Sequence, residues 1–380
     1  MTALLTINNA HKLSTPRLEM PPRLLLGAGP SNADPKVIAA MSRPQVGHLD
    51  TYFLKLMGEI QELLRYTFQT DNKLTIPVSG TGSAAMEATL ANTVEPNDVV
   101  LVAVKGYFGK RLVDMAGRYG ADVRQIHRPW GEAFSLEELR SALETHRPAI
   151  LAIVHAETST GVRQPLEGIG DLCREFDCLL LVDTVTSLGC VPLLIDEWKV
   201  DLAYSCSQKG LSCPPGASPL TLSDRALEKV HSRSTKVANW YLDLSLVSKY
   251  WGKERTYHHT APINMNYALY EALCLVAEEG LEARWERHQK TAEMLWNGLA
   301  ELGLSCHVAP ELRLPSLTTV SIPDSIDEAK IRRQLLDDHN IEISGGLGDL
   351  AGKVWRIGLM GQNSRPENVE RLLSTLKKLL

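Results

Sequence analysis

The sequence predicts an α/β protein with a mostly parallel sheet between layers of helices. Short apolar runs alternate with amphipathic stretches from about residue 23 to about residue 280. Several runs are apolar at consecutive positions, which is typical of strands covered by helices on both faces. Strands and helices in alternation favour right-handed crossovers and a parallel sheet. The strands predicted on these grounds are 98–104, 149–154, 179–182 and 201–204.

Amphipathic stretches between these runs predict the helices of the large domain. Their ranges are 82–94, 110–119, 135–144 and 166–176. Ser135 and Glu138 form a potential capping box, in which each side chain satisfies a backbone N–H of the other residue.

A smaller α+β unit is predicted towards the C-terminus. Residues 263–303 are rich in helix formers and are interrupted at Gly280, which suits a connection between two units. Beyond this connection we expect strands at 317–322, 341–344 and 354–359 and helices at 326–339 and 366–380. The predicted organisation is an N-terminal arm at 1–22, a large domain at 23–282 and a small domain at 283–380.

The composition excludes several classes of protein. The chain has 380 residues, of which 44% are hydrophobic, and this permits a large core. Its formal net charge is −5 and it has no long run of Lys or Arg, so no nucleic-acid partner is expected. The seven scattered cysteines form no C-x-x-C pair, which favours a reducing, cytoplasmic setting without a metal cage. Neither a transmembrane helix nor a signal peptide is expected.

A lysine and a carboxylate that follow apolar runs are the strongest functional candidates. Asp183 ends the run 179–182, and Lys209 ends a small polar run within 204–210. Pyridoxal phosphate requires an amine that holds its aldehyde as a Schiff base and a carboxylate that keeps its ring nitrogen protonated. The pair therefore predicts a site for this cofactor. A solvated surface position is the alternative for a lone lysine, so the interpretation depends on the surrounding motifs.

The segment 77–85 combines a strand end, a glycine turn and a helix start. Backbone N–H groups at such a helix start, together with the helix dipole, bind anions. The spacing of Gly80, Gly82 and Ala85 also matches the loose dinucleotide fingerprint G-x-G-x-x-A. That alternative requires an acidic residue after the next strand, where this sequence has Lys105. A phosphate monoester is therefore the preferred ligand, and an ordinary tight turn is the structural alternative.

Three further segments offer contacts to a ligand. Phe108 follows a predicted strand, and its ring can stack on a flat heterocycle or simply pack in a loop. The polar stretch 155–161 follows the next strand and can face a ligand or form a loop network. Arg356 lies inside an apolar strand, where an unpaired charge is costly. It predicts either a structural ion pair or a bidentate clamp for a substrate carboxylate.

Together these motifs resemble the class V aminotransferases, which share the fold of aspartate aminotransferase. The resemblance extends from 24–31 to 356–359, and its most specific stretches are 79–82, 157–162, 180–183, 207–209, 257–260 and 344–348. It implies fold type I of the pyridoxal phosphate enzymes, with a large sheet domain and a small α+β domain. Within the family, the chain is most similar to members that transfer the amino group of alanine or serine to glyoxylate or pyruvate.

The resemblance implies roles for residues around the cofactor. Lys209 would hold pyridoxal phosphate and move the proton between Cα and C4′, while Asp183 would bind the ring nitrogen. Phe108 would stack on the ring and Thr158 would lie near its edge. The residues implied to cradle the phosphate are Thr81, Gly82, Ser83 and Gln208.

The resemblance also implies a substrate clamp and a shared active site. Arg356 would hold the substrate carboxylate, with help from the backbone at Ala28 and Gly29. Tyr257 and Thr260 would reach the phosphate of the neighbouring subunit, so a homodimer is expected.

The number of candidate arginines bears on the substrate class. Glutamate or aspartate as donor requires a second cation for the distal carboxylate, and only Arg356 stands out as a clamp. Small monocarboxylates are therefore expected, with alanine or serine as donor and glyoxylate or pyruvate as acceptor in a ping-pong reaction. A 3-hydroxykynurenine or kynurenine transaminase is the alternative on the same scaffold. A cysteine desulfurase-like lyase is more distant, because it needs a histidine over the ring, where this chain has Phe108, and a mobile cysteine, whereas Cys306 fits a core position.

Overall fold

The computed structural model describes residues 9, 10, 12 and 18–380. The predicted N-terminal arm at 1–22 lies largely outside the described residues. Within them, the strands in chain order are β1 Leu24–Leu25, β2 Leu74–Ser79, β3 Val99–Val104, β4 Asp122–His127, β5 Ile150–Val154, β6 Ala156–Glu157, β7 Val162–Arg163, β8 Leu179–Asp183, β9 Leu202–Tyr204, β10 Ala217–Leu222, β11 Ser305–Cys306, β12 Leu317–Ser321, β13 Ile341–Glu342, β14 Ser344–Gly345 and β15 Val354–Gly358.

The α-helices of the described residues surround two main sheets. In chain order they are α1 Pro35–Met41, α2 Thr51–Phe68, α3 Gly82–Thr93, α4 Tyr107–Arg118, α5 Leu136–His146, α6 Ile169–Glu175, α7 Asp224–His231, α8 Leu244–Trp251, α9 Ile263–Glu279, α10 Leu281–Glu301, α11 Glu328–His339 and α12 Pro366–Leu379. None of these helices is both long and apolar enough to cross a membrane.

A seven-stranded sheet forms the centre of the large unit. Its strand order is β2-β10-β9-β8-β5-β3-β4, and β10 is antiparallel to both of its neighbours. The other six strands run in one direction, so their carboxyl ends meet at one edge of the sheet. Strands β5 and β8 are buried at every position, as their continuous apolar sequences predict. The predicted α/β class with a mostly parallel sheet is confirmed.

Local signals explain where several elements begin and end. Ser135 Oγ accepts a hydrogen bond from Glu138 N at 3.2 Å, and Glu138 Oε2 accepts one from Ser135 N at 2.9 Å, so the predicted capping box is present. Gly280, at φ 80°, separates α9 from α10. The backbone at this φ is not helical, so the predicted segment 263–303 forms two helices. Glycine adopts this φ readily because it has no side chain.

Two local predictions differ from the structure. The predicted helix 110–119 begins earlier, at Tyr107, so Phe108 lies in the first turn of α4 and the expectation of a loop there was wrong. The predicted strand 341–344 is divided into β13 and β14, which pair with different partners.

A four-stranded antiparallel sheet, ordered β11-β12-β15-β14, forms the smaller unit. Buried side chains of this sheet and of α10, α11 and α12 make a second hydrophobic cluster, which includes Trp355, Leu335 and Leu372. Leu26 belongs to this cluster, and β1 pairs in parallel with β13. Residues 24–26 therefore pack against the small unit, although they precede the large sheet in the chain. The domain boundaries at 22 and 282 stay a prediction.

Candidate active site

Residues after several strands of the large sheet meet the small unit around one cavity of about 360 Å³. Strands β2, β3, β8 and β9 end at the same edge of the sheet, and each contributes or precedes a predicted site residue. The small unit adds β14, β15 and the turn after β14. Ten of the predicted residues line this cavity: Ala28, Gly29, Thr81, Gly82, Ser83, Phe108, Asp183, Gln208, Lys209 and Arg356.

The Lys209 side chain is buried at the base of this cavity. Its Nζ donates a hydrogen bond to the carbonyl of Ala28. Burial lowers the pKa of Lys209, because desolvation disfavours the ammonium form. Gly29 has φ 104°, and a Cβ atom there would lie 2.6 Å from Lys209 Nζ. Glycine at position 29 therefore leaves space for the Lys209 side chain. The lowered pKa increases the fraction of Lys209 in the neutral form, which is the form that reacts as a nucleophile.

Asp183 ends β8 and is held by two hydrogen bonds. Its Oδ1 accepts from Val185 N at 2.9 Å, and its Oδ2 accepts from Tyr204 OH at 2.8 Å. Burial raises the pKa of Asp183 to about 6, although both hydrogen bonds oppose this shift. Tyr204 was not predicted as a site residue. It lies on β9 in direct register with Asp183, so the parallel pairing of the two strands brings them together.

The start of α3 offers a binding place for an anion. Thr81 occupies the N-cap position, and its side chain makes no capping hydrogen bond, so the first N–H groups of the helix are not satisfied by it. Gln208 borders the same cavity and has a buried Oε1 atom without a partner among the described residues. A polar ligand would complete these groups, and a phosphate suits the positive end of the helix dipole.

A buried carboxylate sets the position of Phe108. Glu157 accepts hydrogen bonds from Phe108 N and Gly109 N, each at 3.4 Å, at the start of α4. Ser159 Oγ donates to the same carboxylate at 2.6 Å and accepts from Tyr107 N at 2.9 Å. The stretch 155–161 thus caps the helix that carries the aromatic ring, which makes it a network that supports the site.

Gly106 allows Glu157 to approach this helix start, which gives a first prediction. A Cβ atom at Gly106 would lie 2.7 Å from Ser159 Oγ and closer still to the Glu157 carboxyl. Gly106→Ala is therefore expected to lower the free energy of unfolding by about 1–3 kcal/mol, as overpacking does. Urea denaturation measures the change.

Gly117→Ala on the same helix is the matched control. The nearest atom to a Cβ there is Val123 Cγ2 at 4.0 Å, so alanine is expected to raise stability by up to about 1 kcal/mol. Equal behaviour of the two variants would contradict the proposed packing of Glu157 against Gly106.

Arg111 is a lining residue that the sequence did not single out. Its guanidinium carbon lies 4.8 Å from the centre of the Phe108 ring, and its Nη1 donates to Ser83 Oγ at 3.2 Å. The spacing of three residues from Phe108 places both side chains on one face of α4. The arginine therefore connects the aromatic ring with the start of α3.

Arg356 contacts backbone carbonyls instead of a carboxylate. Its Nε donates to Gly345 O at 2.8 Å and its Nη1 donates to Thr158 O at 3.2 Å. Across the described residues, no carboxylate lies within ion-pair distance of Arg356. Burial lowers the pKa of Arg356 to about 10, with an opposing effect from Glu157. A structural ion pair, one alternative from the sequence, does not account for this arginine, and a ligand carboxylate would.

Three predicted residues lie outside the cavity. Thr158 has its hydroxyl group 2.7 Å from Thr186 Oγ1 and contributes its carbonyl to the Arg356 contact. Tyr257 and Thr260 are exposed, and the Tyr257 ring lies 5.1 Å from that of His48. Their roles near the ring and at a neighbouring phosphate stay predictions.

The model of one protein family, described as aminotransferase class V, matches residues 23–372. The chain belongs to the class V aminotransferases. Alanine–glyoxylate aminotransferase of Mus musculus is 46% identical over 372 residues, covering 97% of this chain and 90% of the mouse protein. The predicted family is confirmed.

Solved structures of aminotransferases superpose closely on the chain. The alanine–glyoxylate aminotransferase of Nostoc sp. has a TM-score of 0.98 and 68% identity, covering 99% of this chain and all of the Nostoc chain. The ureidoglycine–glyoxylate aminotransferase of Bacillus subtilis has a TM-score of 0.95 and 41% identity, with 96% and 94% covered. The predicted aspartate-aminotransferase-like fold is confirmed.

The site of this aminotransferase weakens two alternatives from the sequence. Among the described residues, no cysteine lines the cavity, and Cys306 lies on β11 in the small unit, which disfavours a desulfurase. Strand β3 is followed by Lys105, so the acidic residue of a dinucleotide site is missing there.

Proposed function

We propose that the chain uses pyridoxal phosphate to transfer the amino group of L-alanine or L-serine to glyoxylate or pyruvate. The observation that carries this proposal is Arg356. It is a buried cation that has no carboxylate partner among the described residues, and it lines the cavity that also contains Lys209 and Asp183. The names of the mouse and Nostoc relatives support alanine and glyoxylate as the substrate pair.

The chemical groups around the cavity fit pyridoxal phosphate. Lys209 offers an amine for the aldehyde, and Asp183 offers a carboxylate for the ring nitrogen. Phe108 offers a face for the ring. The uncapped start of α3 fits the phosphate, and the side-chain amide of Gln208 borders the same cavity, where its Nε2 group can donate to a phosphate oxygen. We propose Thr81, Gly82 and Ser83 as its further contacts.

Bound pyridoxal phosphate supplies an electron sink for the negative charge that develops at the α-carbon of the amino acid. Lys209, whose pKa is lowered by burial, would remove the α-proton of the amino acid and would deliver it to C4′ of the cofactor. Asp183 would keep the ring nitrogen protonated through a charge-assisted hydrogen bond. Arg356 binds the substrate carboxylate, and the backbone at Ala28 and Gly29 completes that side of the pocket.

The presence of Arg111 bears on the choice of substrate. A second guanidinium could bind the distal carboxylate of glutamate or aspartate, but Arg111 bonds to Ser83, at the proposed phosphate end. Arg356 instead bonds to Gly345 and Thr158, away from α3. Of the two arginines that line the cavity among the described residues, one therefore remains for the substrate, which favours small monocarboxylates.

A spectroscopic titration tests the proposed function. The purified protein is incubated with pyridoxal phosphate, and its visible absorption is followed after separate additions of alanine, serine, aspartate and 3-hydroxykynurenine. We expect alanine or serine to bleach the cofactor band and glyoxylate to restore it. Failure to take up the cofactor would refute the cofactor assignment, and bleaching by aspartate or 3-hydroxykynurenine alone would refute the substrate assignment.

Replacement of Arg356 tests the carboxylate clamp. Arg356→Lys retains a charge but loses the planar fork, and hydrogen bonds to charged groups contribute about 1.5–3 kcal/mol. We therefore expect the KM for alanine to rise about 10- to 100-fold in a steady-state assay. Arg118→Lys, an exposed arginine of α4 paired with Asp114, is the control and should leave the KM unchanged. An unchanged KM in Arg356→Lys would argue against the clamp.

We also propose that the protein is a cytoplasmic homodimer with an active site shared between subunits. Tyr257 and Thr260 lie outside the cavity of their own subunit, and neighbouring aromatic side chains are exposed, Trp240 by 60% and Tyr241 by 42%. Sedimentation at micromolar concentration is expected to give twice the monomer mass, and a monomer that retains full activity would refute sharing. Cell fractionation tests the location.

A further inference from the structure

Lys105 is a buried charge that the proposed reaction does not use. It follows β3, and its side chain is 0% exposed. Its Nζ donates a hydrogen bond to the carbonyl of Val154. Within the described residues, no carboxylate lies within ion-pair distance, and Lys105 does not border the active-site cavity. A buried ammonium with one neutral partner is costly, so its surroundings should explain why it is retained.

The order of the sheet places Lys105 near Asp183. Strands β8, β5 and β3 are neighbours, and Val154 on β5 pairs in register with Asp183 on β8. Lys105, at the end of β3, therefore extends across the end of β5 towards β8 when it bonds to Val154. The second carboxylate near this position belongs to Glu157, on β6.

The charges at this sheet edge influence one another. Burial lowers the pKa of Lys105 to about 8, and the carboxylates of Glu157 and Asp183 oppose this shift. At neutral pH the ammonium form therefore prevails. Burial raises the pKa of Asp183 to about 6, and the hydrogen bonds from Val185 N and Tyr204 OH, together with the charge of Lys105, oppose this rise. The charged and titratable groups of the described residues that face Asp183 are Lys105, Glu157, Tyr204, Cys206 and Lys209.

We propose that Lys105 is a positioning residue whose buried ammonium keeps Asp183 ionised at neutral pH. With an ionised Asp183, the proton shared by the pair would lie on the ring nitrogen of the cofactor. With a neutral Asp183, that proton would lie on the carboxyl group and the ring nitrogen would be uncharged. The consequence for the ring nitrogen rests on the proposed use of pyridoxal phosphate. The effect on Asp183 does not, because it concerns the protein alone.

Infrared difference spectroscopy of the cofactor-free protein tests the effect on Asp183. The band of the protonated Asp183 carboxyl group is identified as the one that Asp183→Asn lacks. Its intensity is followed from about pH 4 to about pH 9, and the midpoint is the pH at which half of the band is lost. Lys105→Met has nearly the same volume and no charge. We expect it to raise the midpoint by one pH unit or more. Lys199→Met, at an exposed lysine paired with Asp171, should leave the midpoint unchanged.

Glu157→Gln tests the direction in which a neighbouring charge shifts the midpoint of Asp183, and it remains informative if Lys105→Met does not fold. Glu157 raises the pKa of Asp183, so its neutral replacement should shift the midpoint downwards, opposite to the effect of Lys105→Met. A midpoint that stays within about 0.3 pH units in Lys105→Met, or that rises in Glu157→Gln, would overturn the proposal.

The nitrogen-15 resonance of ring-labelled pyridoxal phosphate provides the second measurement. We expect the resonance in Lys105→Met to move towards that of a neutral pyridine, while Lys199→Met retains the wild-type value. An unmoved resonance would overturn the effect on the ring nitrogen. A protein that takes up no cofactor would refute the proposed function and would leave the infrared result on Asp183 intact.

Discussion

Lys209→Ala is expected to lower the rate of pyruvate formation from alanine and glyoxylate by at least about 10⁴-fold. The variant lacks both the amine that attaches the cofactor and the base that moves the α-proton. Because, within the part of the chain that the structure describes, Lys209 Nζ bonds only to the backbone carbonyl of Ala28, its loss is not expected to disrupt the packing of the cavity. A coupled assay for pyruvate measures the rate, and mass spectrometry after borohydride reduction measures covalent attachment of the cofactor.

Lys199→Ala is the matched control for this experiment. Lys199 pairs with Asp171 at the surface, where both side chains are about half exposed, 46% and 58%. We expect wild-type turnover and wild-type attachment of the cofactor in this control. Turnover by Lys209→Ala at more than about a hundredth of the wild-type rate would refute the role of Lys209 as general base.

Asp183→Asn is expected to have opposite effects on activity and on stability. The amide cannot balance the charge of a protonated ring nitrogen, so we expect turnover to fall by about 10²- to 10⁴-fold. In the variant, Oδ1 can still accept the hydrogen bond from Val185 N, and the hydroxyl group of Tyr204 can accept one from Nδ2, so the fold should be retained. The pyruvate assay measures the first effect.

The effect on stability follows from the raised pKa of Asp183. Its pKa in the folded protein is about 6, above the ordinary value of 3.8, so the folded state binds this proton more tightly than the unfolded state. The cofactor-free protein therefore gains stability from this group as the pH falls from above 6 towards 3.8. Above pH 6 the buried, ionised carboxylate costs about 3 kcal/mol. We expect Asp183→Asn to recover up to that amount at pH 7.5.

Urea denaturation of the cofactor-free proteins at pH 7.5 and pH 5 measures this difference. The advantage of Asp183→Asn over the wild type should shrink at pH 5, because the wild-type carboxyl group is then mostly protonated. Asp171→Asn, at an exposed aspartate, should show neither effect. A variant less stable than the wild type at pH 7.5 would show that the hydrogen bonds of the carboxylate outweigh its desolvation.

The sequence predicted the strands whose hydrophobic pattern is continuous and missed those that lack one. Strand β5 is apolar throughout, β8 is apolar up to its last residue, Asp183, and both are buried, so their sequences were sufficient. Strand β4, Asp122–His127, lies at the edge of the sheet with exposed and half-buried positions, and its polar residues gave no signal. Strand β10 contains Ser218, Pro219 and Thr221, and it is buried because of its neighbours, which no local pattern reveals.

The candidate site was predictable where the chemistry of a residue type is unusual for its place in the chain. Lys209 and Asp183 are ionisable residues at the ends of apolar runs, and Arg356 interrupts another. Arg111 and Tyr204 were missed because nothing in their own segments distinguishes them. Their positions depend on a helix that begins at Tyr107 and on the register between β8 and β9, which only the three-dimensional structure provides.

The pairing of β2 with the antiparallel strand β10 has a consequence for the chain during its synthesis. Strand β2 leads directly into the turn that we propose as the phosphate site, and in the described part of the sheet it pairs with β10 alone. The two strands are far apart in the chain, since Thr75 and Thr221, whose hydroxyl groups lie 2.8 Å apart, are separated by 146 residues. At about 5–20 residues per second, a ribosome needs on the order of 7–30 s to synthesise that interval. During this time β2 has an unpaired edge, so the nascent chain is expected to need protection from aggregation until β10 emerges.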